Sequence, residues 1–299
     1  MFRFAREQQV VTVGDVNLGG QPGEYPTALF GALFYAGDSL VRGVNSPDFD
    51  RERAAEVIGT AQAKCLEAGV PLILDIICAT PEQARAFLGF ALEVCSLPVL
   101  MDGTTPDVRR AGLELAAERG QERRIIFNSI SGTVRDEELR QAVKRGCTTA
   151  IVQLFHERKP GVQGKVEMAR HLVPRAYDLG FERLILDMAL LDIVEVGTCS
   201  LAIGELKEEF GLPCGCSPTH THRDRWRKAP LYSRKEQAAA RVSCTSLLQS
   251  AGADFVMYDL KQTEVIPSLA MVDAEIAYAA KAWKILPRSK EHPLYKIFR

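Results

Sequence analysis

The sequence predicts a single (β/α)8 barrel of the TIM type whose amino-terminal end is plugged by a β-hairpin. Short apolar runs alternate with longer amphipathic segments along the chain, the pattern of parallel strands joined by helices. Eight such runs can be counted, the number a closed barrel needs. At 299 residues and 46% hydrophobic, with no break in composition, the chain reads as one domain over 1–299 with a large core.

Residues 9–19 open the chain as a hairpin: Val10, Val11, Thr12 and Val13 run out, Gly14 and Asp15 turn, and Val16, Asn17 and Leu18 return. A breaker-rich stretch over 19–26 follows, and then an apolar run over 28–35 supplies the first barrel strand. Arg51 to Ala68 is helical, because Ala54, Val57, Ile58, Ala61 and Cys65 fall on one face and Gly69 stops it. The second strand, 71–77, carries Asp75 inside it, and Thr80, Pro81 and Glu82 open the next helix. Strands three to eight fall at 99–102, 124–128, 148–154, 184–187, 213–216 and 254–258. Leu269, Val272, Ile276 and Ala280 place a closing helix over 268–283. The charged, proline-broken tail over 287–299 is expected to pack loosely or at a subunit contact.

Charge and composition exclude several classes. Lys and Arg number 37 against 38 Asp and Glu, with no block of one sign, so there is no footprint for nucleic acid. The start lacks the apolar core of a signal peptide and no run reaches the ~18 apolar residues of a membrane span. The expectation is therefore a cytoplasmic protein without membrane insertion. Eight cysteines, several in apolar runs, fit reduced core residues better than a disulfide framework.

The chemistry concentrates where strands end. Residues 98–131 read as strand, helix, strand, with Asp102 and Asn128 closing the two apolar runs. Asp75, Asp102, Asn128 and Asp187 should gather at the carboxyl-terminal mouth, where loops from all the strands converge. Three carboxylates and an amide suit either a hard metal ion or a polar heterocycle, and the amide favours the heterocycle, since Asn both donates and accepts. Taken singly, each residue serves equally well as a cap for the helix or loop that follows. Further on, Cys214, Cys216, His220 and His222 offer zinc-type ligands at a spacing with no established site behind it, and two core cysteines with two loop histidines is the plainer alternative. Arg223, Arg225, Arg227 and Lys228 surround Trp226 in a long loop, suited to an anionic ligand or partner or simply to solvent. His156, Arg158 and Lys159, after strand five, admit the same two readings, with the solvated loop favoured.

MFRF at the start, GGQPGEYPT at 19–27, FYAG at 34–37, PDVRRAG at 106–112 and FNSIS at 127–131 resemble the H-subunit family of tetrahydromethanopterin S-methyltransferase over nearly the whole chain. That family resembles, more distantly, the methyltetrahydrofolate:corrinoid methyltransferases and dihydropteroate synthase, which are pterin-binding barrels. The resemblance implies that Asp102, Asn128 and Asp187 hold a pterin, with Asp75 as a neighbour. It implies methyl transfer between a methylated corrinoid protein and nitrogen-5 of a tetrahydropterin, which asks the protein chiefly for alignment and control of charge.

The expected pterin is tetrahydrofolate, giving 5-methyltetrahydrofolate, with tetrahydromethanopterin as the alternative. His220 stands where distant relatives have an Asn near nitrogen-5, so His220 and Asn128 are the expected catalytic pair. Arg223, Arg225 and Trp226 are the expected contacts for the corrinoid protein. No cobalamin-anchoring Asp-x-His-x-x-Gly pattern occurs, so cobalamin should arrive on that partner; no metal of the chain's own is expected, and the relatives suggest a homodimer. A metal-dependent barrel hydrolase or lyase and a non-catalytic docking protein are the rival classes.

Overall fold

The computed structural model describes residues 3–191, 195–219 and 233–297. Eight parallel strands close into a barrel: β3 (Ala28–Leu33), β4 (Leu72–Cys78), β5 (Val99–Gly103), β6 (Ile125–Ile130), β7 (Thr149–Gln153), β8 (Arg183–Asp187), β9 (Cys214–Cys216) and β10 (Phe255–Asp259). They follow one another around the ring in chain order, and β10 pairs with both β9 and β3 to close it. The expected (β/α)8 architecture is present, with strand ends within a few residues of those the sequence marks.

Period-two alternation sorts each strand into two faces. One face packs into the barrel, where Phe30, Ile73, Leu100, Ile126, Ile151, Ile185 and Phe255 form one cluster. The other face packs outward: Leu74, Met101, Phe127, Val152, Leu186 and Val256 meet the surrounding helices in a second, larger cluster. The hairpin β1 (Val10–Val13) and β2 (Val16–Gly19) completes the inner cluster, because Val11, Val13, Val16 and Leu18 pack against the barrel interior. It is the plug the sequence predicts.

The outer layer contains α1 (Arg51–Ala68), the short α2 (Pro81–Gln83) and α3 (Gly89–Val94) joined by a π-turn at Ala84–Leu88, α4 (Pro106–Glu118), α5 (Asp136–Lys144), α6 (Val162–Asp178), α7 (Val196–Phe210), α8 (Arg234–Ala251) and α9 (Val265–Ala280). Their ends use local chemistry. The Asp50 carboxylate accepts from the Arg53 N–H to start α1, and Gly69, at φ +75°, ends it in a left-handed turn. Thr105 caps α4 ahead of Pro106, and Ser233 with Glu236 makes a capping box on α8.

Two expectations need correction. The first barrel strand stops at Leu33 rather than Tyr35, because Phe34 turns to φ +65° and stacks on Phe87 with ring centroids 4.5 Å apart. The tail is not loosely packed: α10 (Pro293–Ile297) returns to the body, burying Leu294 against Ala274 and Ala277 of α9, with His292 only 1% exposed. A sequence rich in charge concealed one apolar turn. Among the described residues, no helix is long and apolar enough to cross a membrane.

Candidate functional site

The same alternation that builds the core builds the site. On five strands the inward apolar residue is followed two positions later by an inward polar one: Ile73 by Asp75, Leu100 by Asp102, Ile126 by Asn128, Ile151 by Gln153 and Ile185 by Asp187. Hydrophobic side chains fill the barrel below, and a polar ring stands above them at the carboxyl-terminal mouth. Asp75, Asp102, Asn128 and Asp187, the four residues expected from the sequence, all line one cavity of about 530 Å³. That volume falls within the range of pockets that enclose an organic ligand of drug size.

Register fixes the neighbours. Asp102 and Asn128 sit side by side across β5 and β6, and Gln153 and Asp187 across β7 and β8. The β6–β7 register shifts between Phe127 and Ile130, next to Asn128, the kind of irregularity that re-aims a side chain at a barrel rim. Asp75 and Asp259 flank Ala32 at one level on either side of β3.

The carboxylates are held in different ways. Asp187 accepts from the Ala189 N–H at 3.1 Å, and Lys165, itself anchored on the Met188 carbonyl, stands near it. Burial still pushes the Asp187 carboxyl up to about 6, against the pull of that N–H and of Lys165. Asp102 is also pushed up to about 6, by burial first and the Asp187 charge after it, against the pull of Arg109 and the Asn128 amide. Asp75 is only 4% exposed and its Oδ1 has no hydrogen-bond partner among the described residues. Burial, then Asp102 and Asp187, drive its carboxyl well above the usual range. Asp259 differs, accepting from the Tyr35 hydroxyl at 2.5 Å and lying 3.2 Å from the Lys261 ammonium.

The site thus offers ionisable carboxyls and four amides, Asn128, Gln153, Gln237 and Gln262, around a cavity whose walls include Ile77, Leu190 and Met257. A flat polar heterocycle with N–H donors and ring acceptors matches that set; apolar walls would sandwich its faces. Among the described residues no group of three or more His, Cys, Asp or Glu side chains is placed to hold a metal ion. Cys214 and Cys216 share one face, as alternation requires, but that face packs into the helix layer with Cys199 and Leu206 rather than toward the mouth.

His220, Arg223, Arg225 and Trp226 lie outside the described residues, as do His222, Arg227 and Lys228. The solvated loop after β7 is as expected: the Lys159 ammonium pairs with Glu167 at 2.5 Å, and the His156 Nδ1 accepts backbone N–H groups of Arg158 and Lys159. Gln153, Lys165, Arg241, Asp259 and Gln262 are site residues that sequence reasoning missed. For Gln153 and Asp259 a signal exists, since each keeps the inward parity of its strand at the strand's last residue. Lys165, Arg241 and Gln262 reach the site from helices and a loop, where no parity rule applies.

Comparison with known proteins bears on the family and the fold. Residues 6–287 match the family model described as tetrahydromethanopterin S-methyltransferase MtrH subunit. The chain is 30% identical to the H subunit of tetrahydromethanopterin S-methyltransferase from Methanothermobacter marburgensis, covering 99% of this chain and all of that protein. It is 31% identical to the protein of the same name from Methanococcus vannielii, with 99% and 100% covered. Among solved structures, dihydropteroate synthase of Yersinia pestis superposes with a TM-score of 0.63 at 15% identity, over 92% of this chain and 100% of that one. The Thermus thermophilus synthase gives 0.62 at 18%, over 89% and 99%. These two share the barrel fold.

Proposed function

The chain belongs to the H-subunit family of tetrahydromethanopterin S-methyltransferase, and from that premise we propose that it moves a methyl group between a tetrahydropterin bound in the mouth and a corrinoid carried by a partner protein. The observation that carries this reading is the convergence of Asp75, Asp102, Asn128 and Asp187 on one cavity. Between the two pterins, the names of the relatives favour tetrahydromethanopterin over the tetrahydrofolate that the sequence reading put first.

In this reading Asp102 and Asp187, ionised at neutral pH, accept from the 2-amino group and ring N–H of the pterin. Asn128 donates to one ring atom and accepts from another. Asp75 meets a further polar atom of the heterocycle, which relieves its unpartnered oxygen. The corrinoid, when docked, supplies or takes up the methyl group. The chain's own contribution is to hold the pterin still and keep water from its faces, the alignment a displacement of this kind needs.

Calorimetric titration with tetrahydromethanopterin and, separately, tetrahydrofolate tests this. One-site binding that the Asn128→Ala protein loses is the expected result and chooses the pterin. No binding of either by folded protein would overturn it.

A further inference from the structure

The cavity is larger than a two-ring heterocycle, and its far wall has its own unmet chemistry. Arg241 on α8 and Gln262 after β10 both line it. Around the ring β10 stands four strands from β6, so this wall faces Asn128 from across the barrel. Two buried polar atoms here have no partner among the described residues: the Arg241 Nε, a donor, and the Gln262 Oε1, an acceptor. Leaving such atoms dry is costly unless a ligand meets them. The guanidinium is not a spare charge, because its Nη2 lies 2.5 Å from the Glu264 carboxylate, which neutralises it.

We propose that Arg241 and Gln262 form a subsite for the substituent carried by the pterin ring, and that it takes a neutral group able both to accept and to donate a hydrogen bond. The inference rests on the pterin reading above. A secondary amide answers it with a carbonyl to Arg241 Nε and an N–H to Gln262 Oε1; a hydroxylated chain answers it with its O–H groups. A free carboxylate does not, since Glu264 already holds the cation and Gln262 offers an acceptor to the same space. The subsite would therefore set which tail is tolerated, while Asp102, Asn128 and Asp187 set that the head is a pterin.

The test compares three ligands by calorimetry: 6-methyltetrahydropterin, which has no tail, tetrahydrofolate, whose tail carries a benzoyl amide beyond an aryl amine, and tetrahydromethanopterin, whose tail bears hydroxyls. The variants are Arg241→Lys, which keeps the charge beside Glu264 but loses the Nε–H, and Gln262→Met, which keeps the length but loses the oxygen. The expected result is that each variant weakens binding of at least one tailed pterin by about tenfold and leaves 6-methyltetrahydropterin unchanged. Loss confined to tetrahydrofolate assigns the amide, and loss confined to tetrahydromethanopterin assigns the hydroxyls. Equal weakening of all three ligands, or no weakening of any, overturns the subsite. Binding of none of the three by the parent protein is the separate failure of the pterin reading, and the tail-free ligand also reports that each variant is folded.

Discussion

Lys207 and Asp254 form a closed ion pair inside the barrel wall: the lysine Nζ lies 2.7 and 2.6 Å from the two carboxylate oxygens, and its side chain is 1% exposed. Asp254 also accepts from the Cys214 N–H at 2.8 Å, so the pair pins the start of β9, the shortest barrel strand, to the start of β10. Replacing Lys207 by Met leaves a buried carboxylate without its cation. That should cost about 3–5 kcal/mol, read as a fall in the urea midpoint with an unchanged slope.

The site carboxylates act on stability in the opposite sense. Folding raises Asp187 from its ordinary value of 3.8 to about 6, so between those values the folded state holds the proton that the unfolded state has lost. The resulting destabilisation is absent below about pH 4 and complete once pH has risen through about 6. Asp187→Asn should accordingly be more stable than the parent at pH 8, by up to about 3 kcal/mol, and no different near pH 3.5. Paired thermal melts across that range check it; a gain that persisted at low pH would contradict the account.

Ligand affinity should follow the same groups. Asp102 and Asp187 accept most strongly, and with both oxygens, when ionised, and both titrate near 6. Binding measured from pH 8 downward should hold to about 7 and then weaken steeply through 6 and below. A flat profile between pH 5 and 8 would separate the carboxylates from binding.

Away from the mouth, Thr27 donates its backbone N–H to Asp273 at 2.8 Å, its hydroxyl lies 2.8 Å from the other carboxylate oxygen, and Gln249 donates to that oxygen at 3.1 Å. Burial nonetheless pushes Asp273 up to about 7. Thr27→Val removes one of the bonds that satisfy it and should cost about 1–3 kcal/mol in denaturant unfolding.

What was legible in the sequence followed from periodicity. Strands such as β5 and β6 are short apolar runs with a polar residue at the inward parity, so Asp102 and Asn128 could be placed before any coordinates. Hairpin residues Val11 to Leu18 alternate and are bounded by a Gly turn, and they too were readable. Phe34 was not, because its left-handed turn depends on the aromatic cluster with Phe49, Phe87 and Phe90, contacts far apart in the chain. Leu294 was hidden among charges, since one buried turn against Ala274 and Ala277 leaves no periodic trace. Arg241 and Gln262 were hidden for a different reason. Their importance lies in bonds they do not make, and only a folded surrounding reveals which polar atoms are left over.

The packed hairpin beneath the barrel bears on kinetics. With Val11, Val13, Val16 and Leu18 sealing one end against Phe30 and Ile73, the pterin and the corrinoid partner of the proposed function would share the opposite end as their way in. A macromolecule seated on that doorway blocks traffic through it, so the small substrate must enter first and its product must wait for the macromolecule to depart. Initial-rate plots should then intersect, with the macromolecule adding second in a compulsory order, and excess macromolecule should inhibit by trapping the empty enzyme.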